Sequence, residues 1–394
     1  MIELVHVIET LGSGGAERLL HTNLRHLDPN RFRSSVVTIR AHAEHWRAPI
    51  ESLGVPVETL GVRARRELPG AVVRLRRFLS RRGASLVHTH LWEANVVGRL
   101  AGRLAGVPVV SSIHNPDYEP AVWRAGHQGH PAKRYAFLAV DRATARLANE
   151  RMIAVSESVR SSAHAHLRFP LERIDVVYNP IDLDELRRAP KQDRTAFRNE
   201  LGLPRDAIVL LNVARLSPQK GLNDAIDALP TILKSRPNSH LVSVGALDHR
   251  GWVETLQRQC TALGIAERVH FLGPRRDVAD VMRACDVFLF PSQFEGLGLA
   301  LIEAMALGCV CVATDIGPIS EFVRDGVDGF LVPPGDAAAL AHAVAQALDD
   351  DAKRAAISHA AADSAARRFD PELGAERLQA VYERVLATRR ARER

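Results

Sequence analysis

Long apolar runs are missing from this sequence. Nowhere do about 18–20 apolar residues follow one another, the length that crosses a bilayer as a helix. Cysteine is scarce: the four present, Cys260, Cys285, Cys309 and Cys311, all lie in the second half with no C-x-x-C pair. That usage fits a reducing compartment better than a disulfide framework. Aromatic residues make up only 5%. Neither a zinc-ligand spacing nor an aromatic RNP-like strand is present, which argues against nucleic acid as a partner. Low-complexity blocks, heptad runs and short repeats are also lacking, so disorder, coiled coil and solenoid are excluded. The start, Met1-Ile2-Glu3-Leu4-Val5, has no basic n-region and reads directly as a strand, so no secretory signal is expected. These absences predict a soluble protein that works in the cytoplasm.

What is present is an ordinary globular composition, 46% apolar and 25% charged, over 394 residues. Single cores stop growing near ~250–300 residues, so two domains or one large α/β unit are expected. Charge is uneven. Residues 1–180 carry 25 Lys and Arg against 16 Asp and Glu, a surplus of nine, whereas residues 181–394 carry 27 against 30. Twelve of the 17 histidines also fall in the first half. A basic half beside a near-neutral one predicts that the first half meets something anionic, such as phosphates or a membrane surface.

Short apolar runs alternate with amphipathic stretches throughout, which predicts βαβ units and parallel sheets. Strands are expected at 3–8, 33–39, 56–60, 86–90, 109–113 and 152–155, with helices between them, the longest at 133–150. The pattern restarts after Asn179-Pro180-Ile181-Asp182. Strands are then expected at 208–214, 239–244, 269–272, 287–291, 310–313 and 329–332, and a short piece at 319–323. The simplest organisation is two Rossmann-like halves, 1–180 and 181–370, closed by a helix at 371–391 that no strand follows.

Several βα turns carry residues suited to anions. The first reads Leu11-Gly12-Ser13-Gly14-Gly15-Ala16-Glu17, where glycines let backbone amides approach a phosphate at a helix N-terminus. It is not the dinucleotide fingerprint, because Glu17 takes the third glycine position; a tight turn without a ligand has the same pattern. His90 and His114 end two strands of the first half, at the edge where open α/β sheets bind ligands. His88 alternates with His90 and shares its side of the strand. Either histidine could instead be satisfied locally by backbone. In the second half, Arg215 and Lys220 stand in Ala214-Arg215-Leu216-Ser217-Pro218-Gln219-Lys220-Gly221, two cations on one strand-end loop, suited to a diphosphate leaving group. A pair of surface cations is the plain alternative. Glu295 and Glu303 flank a glycine-bearing turn, Phe294-Glu295-Gly296-Leu297-Gly298-Leu299, that opens a helix. Gly298 and Leu299 offer amides to phosphate, Glu303 can accept from a ribose diol, and Glu295 can reach sugar hydroxyls.

Taken in order, the Gly14-Gly15 turn, Val155-Ser156-Glu157-Ser158, Val177-Tyr178-Asn179-Pro180-Ile181-Asp182, the Arg215–Lys220 loop and the Glu295/Glu303 segment resemble the retaining glycosyltransferases of family four. The likeness runs over about residues 3–390. It implies the GT-B fold: two Rossmann-like domains facing a central cleft, with a last helix crossing back to the first. The first domain would bind the acceptor, a glycan, glycolipid or small molecule, and the second the nucleotide-sugar donor. Arg215 and Lys220 would hold the diphosphate, with Gly298 and Leu299 contacting it through backbone. Glu303 would bind the ribose, Glu295 the donor sugar, His114 would lie by the transferred carbon, and Gly14 and Gly15 would close over the phosphates. No cofactor or metal is expected, since fixed cations take the metal's place. The chain departs from the family pattern after Gly245, where Ala246-Leu247-Asp248-His249-Arg250-Gly251 replaces a second Gly and Pro. Two rivals share the residues: a nucleotide-sugar epimerase and a non-catalytic carbohydrate- or nucleotide-binding protein.

One segment stands apart. Arg63–Arg82 holds eight arginines against one acid, Glu67, with Val72, Val73, Leu75, Phe78 and Leu79 as an apolar face. Either this face rests on anionic lipid at the inner side of the cell membrane, or it packs on the sheet with its arginines in water.

Overall fold

Short runs buried along almost their whole length, each followed by an amphipathic helix, leave parallel pairing as the way to bury both sheet faces. The computed structural model, which describes residues 1–12, 14–120, 122–123, 131–188, 194–246 and 251–394, shows this twice. One unit comprises Met1–Pro180 and Pro371–Arg394, the other Ile181–Asp370.

The first unit holds β1 (Ile2–Ile8), β2 (Phe32–Thr38), β3 (Val57–Thr59), β4 (Leu86–His90), β5 (Val109–Ile113), β6 (Arg151–Ala154) and β7 (Ile174–Val176), in the order β3-β2-β1-β4-β5-β6-β7. All neighbours run parallel. The order reverses between β1 and β4, the position at which such sheets bind ligands beyond their carboxyl ends. Two cores sandwich this sheet. On one face Leu4, Ile8, Leu86 and Val110 pack with Leu20 and Leu24 of the Gly15–His26 helix. Leu378, Val381, Tyr382 and Val385 of the Pro371–Glu393 helix join them. On the other, Val5, Val7, Val87 and Val109 pack with Ala71, Leu75, Phe78 and Leu79 of the Leu68–Arg82 helix and with Ala94, Val97 and Ala101 of the Trp92–Ala105 helix. The apolar side of the arginine-rich helix is therefore occupied by the sheet, while Arg74, Arg76, Arg77 and Arg81 stay exposed.

The second unit holds β8 (Ile208–Val213), β9 (Ser239–Val244), β10 (Val269–Phe271), β11 (Val287–Phe290), β12 (Cys311–Thr314) and β13 (Phe330–Val332), ordered β10-β9-β8-β11-β12-β13. Its reversal falls between β8 and β11. Among the described residues, no helix is long and apolar enough to cross a membrane.

Three elements differ from the expected pattern. A helix at Glu157–Leu167 and the three-residue strand β7 follow β6 where none was expected. The piece around Ile319 is a single helical turn, Gly317–Ser320, with Pro at its start.

Candidate active site

In the second unit the site is built by the two loops that leave β8 and β11. Beyond β8 a short turn at Pro218–Lys220 ends at Gly221, which adopts φ 62°. A Cβ on Gly221 would lie 1.9 Å from the Pro291 carbonyl oxygen, so a residue without a side chain is required for the loops to meet. They are then fastened: Gln293 N–H donates to the Gln219 carbonyl at 2.8 Å, and Gln219 Nε2 donates to the Phe294 carbonyl at 3.0 Å. This places Lys220 Nζ 2.6 Å from Glu295 Oε1, an oxygen that also accepts from Ser292 Oγ at 2.8 Å. The pair is largely out of water, with side-chain exposures of 17% for Lys220 and 8% for Glu295. Arg215, on the same β8 loop, is exposed and pairs with no acid among the described residues.

Past Glu295 the chain turns at Gly298, φ 95°, and enters the Leu299–Ala306 helix. A Cβ there would come within 2.9 Å of Ile319 Cδ1 and 3.3 Å of the Phe290 ring, so glycine is required for space as well as for backbone angle. The first amides of this helix, Leu299 and Ala300, have no intrahelical acceptor and carry the positive end of its dipole. Glu303 lies one turn on and is buried. Lys220 and Glu295 thus touch, and Gly298, Leu299 and Glu303 continue from the loop that carries Glu295. Of the departure after Gly245, residues 247–250 lie outside the described residues, as does Ser13 in the first glycine turn.

The first unit presents a different surface at its own reversal. Gly14 caps the Gly15–His26 helix in an extended conformation. Thr10 Oγ1 donates to Glu17 Oε1 at 3.2 Å, and the Glu17 carboxylate folds against Gly14, where it faces the helix N-terminus. The sequence placed only glycines here; the acid in the first turn was visible, but its backward fold was not. At the end of β4, Leu91 takes φ 72° and ψ 165°, a backbone region seldom entered by residues with side chains. The Trp92–Ala105 helix that follows starts with Glu93 N–H donating to Glu9 Oε1 at 2.7 Å.

Below these loops lies a histidine row. The parallel register sets His6 beside His88 and Ile8 beside His90, so His6, His88 and His90 share one face. His6 Nδ1 is 3.5 Å from His90 Nε2, and His90 Nδ1 is 3.4 Å from His114 Nε2. His88 is held separately, its Nδ1 2.6 Å from Tyr382 Oη and its Nε2 2.8 Å from Ser112 Oγ. Burial pushes His6 down to about 3 and His114 to about 4, and holds His90 well below the usual imidazole range. The row is therefore uncharged at neutral pH. Among the described residues, His6, His88 and His90 are also the group with metal-ligand spacing, their ring nitrogens lying within 4.8 Å of one another. His6 was overlooked in the sequence because it sits inside an apolar strand; only the pairing of β1 with β4 reveals it.

Residues 13–185 match the family model described as Glycosyltransferase Family 4, and residues 193–364 the model described as Glycosyl transferases group 1. The chain is 33% identical over 318 residues to D-inositol 3-phosphate glycosyltransferase of Streptomyces avermitilis, covering 78% of this chain and 67% of that protein. The crystal structure of Anabaena HepE in complex with UDP-glucose superposes with a TM-score of 0.84 at 27% identity, covering 98% of this chain and all of the other. HepE has also been solved with UDP and glucose, with the same TM-score. The fold extends to sucrose-phosphate synthase of Thermosynechococcus elongatus, TM-score 0.80 at 21% identity. With its paired parallel sheets and the succession of site residues at their carboxyl ends, this chain belongs to the family 4 glycosyltransferases of GT-B fold.

Proposed function

We propose that this glycosyltransferase moves a hexose from a uridine diphosphate donor to a hydroxyl of an anionic or lipid-linked acceptor, with retention at the anomeric carbon and without a metal. The observation that carries the reading is the Lys220–Glu295 pair, whose glutamate lies three residues before the Gly298 that opens the Leu299–Ala306 helix. A diphosphate gains negative charge as its bond to the sugar breaks, and fixed cations and amides stabilise that charge most where water is excluded. Lys220, Arg215 and the amides of Leu299 and Ala300 take that part. Glu295, already hydrogen-bonded to Ser292, offers its second oxygen to a sugar hydroxyl, and Glu303 binds the ribose. In the first unit, His114 donates a hydrogen bond to the donor sugar, and Gly14 and Gly15 let backbone approach the phosphates once the Glu17 carboxylate swings aside.

The chemistry balances without a protein nucleophile. The bond between the anomeric carbon and the diphosphate oxygen breaks, the acceptor oxygen bonds to the same face of that carbon, and the acceptor proton passes to the departing diphosphate. The UDP-glucose held by HepE supports the donor class. The inositol 3-phosphate in the Streptomyces relative's name, together with the basic first unit, supports an anionic acceptor. Synthesis of a bacterial surface polysaccharide or glycolipid in the cytoplasm is the setting this suggests. Contact with anionic lipid would rest on the outward arginines of the Leu68–Arg82 helix alone, and so should vanish at high salt.

A thermal-shift series with UDP, ADP, GDP and their glucose conjugates tests the donor, since binding raises Tm according to affinity. UDP ligands should give the largest shift. Product anomeric configuration by NMR, with and without EDTA, tests the rest. An inverted product, or activity abolished by chelation, would refute the reading.

A further inference from the structure

We infer that His90 and His6 are positioning residues: they fix the tautomer of His114 so that its Nδ1 carries the proton and is the nitrogen offered to a ligand. This rests on the reading that His114 meets the donor sugar.

The reasoning is a count of protons. A neutral imidazole has one N–H and one bare nitrogen. Each contact in the row His6–His90–His114 joins two ring nitrogens, so each needs one proton and no more. Two N–H groups would collide, and two bare nitrogens would repel. Both contacts join an Nδ1 to an Nε2. The three protons must therefore all sit on Nδ1 or all on Nε2. The free ends decide between these. His6 Nε2 is buried and has no hydrogen-bond partner. Placing a proton there strands a donor in the core, the rarer and costlier defect. Leaving it bare puts the proton on His6 Nδ1, which donates to His90 Nε2; His90 Nδ1–H then donates to His114 Nε2. His114 is left with Nδ1–H on a half-buried ring, where no described residue accepts it and water or a sugar oxygen can.

The rings are also locked in place. His88 packs 4.1 Å from His90 and 5.4 Å from His6, centroid to centroid, and is pinned by Tyr382 and Ser112. A cation shared by His6, His88 and His90 would have to displace one of those two hydroxyl bonds.

The test uses the full chain labelled with 15N-histidine, read by long-range 1H–15N NMR above pH 7. Wild-type His114 should show a protonated Nδ1 and a bare Nε2. In His90→Leu both tautomers should appear, and kcat should fall roughly tenfold, about the worth of one hydrogen bond, with donor KM nearly unchanged. His90→Asn, whose amide can replace the Nδ1–H donor, should restore most of both. A wild-type His114 protonated on Nε2 overturns the inference, and this spectrum decides even if His90→Leu does not fold. One equivalent of tightly bound divalent metal by elemental analysis also overturns it. If the tautomer of His114 changes in His90→Leu but kcat does not, the positioning stands and the contact of His114 with the sugar fails.

Discussion

The two units repeat one strand order and put opposite chemistry at the same place in it. Where the second unit's strand order reverses, a lysine and a glutamate are paired out of water on loops that also carry an exposed arginine and lead into a helix amide end. Where the first reverses, uncharged imidazoles stand in a row beneath a carboxylate that covers the helix end. The fold supplies the position, and the side chains decide whether it handles charge or hydrogen bonds.

The comparison can be broken in stability first. Each unit buries an arginine on an aspartate. Arg99, fully enclosed, pairs with Asp141, which also accepts from Tyr118 Oη at 2.7 Å. Arg198 pairs with Asp286, which has Arg194 as a second partner. Arg99→Met leaves Asp141 buried and unpaired and should cost about 3–5 kcal/mol. Arg198→Met should cost less, because Arg194 remains; urea melts of both variants compare them. Next comes activity. Lys220→Ala should lower kcat about 100- to 1,000-fold, the usual loss for one fixed charge-stabilising group, with acceptor KM little changed. An equal loss from His114→Ala would erase the contrast between the units in steady-state kinetics.

Acid should separate the units further. His6 and His114 titrate near 6.5 when unfolded but at about 3 and about 4 when folded. The unfolded chain therefore binds more protons, and stability present above pH 6.5 is lost as pH falls toward 4. Among the described residues, the second unit holds one histidine lowered that far, His240, at about 4. Hydrogen exchange at pH 7.5 and pH 5 should show the first unit losing protection earlier. The smallest effect compares glycines. Gly298→Ala meets Ile319 and Phe290 at a left-handed backbone and should cost about 1–3 kcal/mol. Gly14→Ala meets only the movable end of Glu17 and should cost a few tenths, as melts of each variant would show.

Most of the fold was legible because its strands are short apolar runs and its helices amphipathic. Leu68–Arg82, Leu86–His90 and Val109–Ile113 fall where periodicity puts them. The Glu157–Leu167 helix escaped because its Ser, His and Ala residues carry little amphipathic signal. The sign that could have shown it is Ser156, whose side chain accepts from Val159 N–H as a cap. β7 is three residues long and offers no period to read. At the site, residue types were legible and partners were not. Lys220 and Glu295 lie 75 positions apart, and only the pairing of β8 with β11 makes them neighbours. The same holds for His6 and His90, which meet across β1 and β4.

The Pro371–Glu393 helix packs on the Gly15–His26 helix and sets Tyr382 against Phe32 of β2 and His88 of β4, within the core that holds Leu4 and Ile8. As the polypeptide leaves the ribosome, the second unit is thus complete before the first can close. Until residue 382 emerges, Leu4, Ile8 and Leu24 lack their cover and His88 its phenol partner. Translation halted near residue 370 would release a finished second unit tethered to an open, sticky first one, a natural client for chaperones.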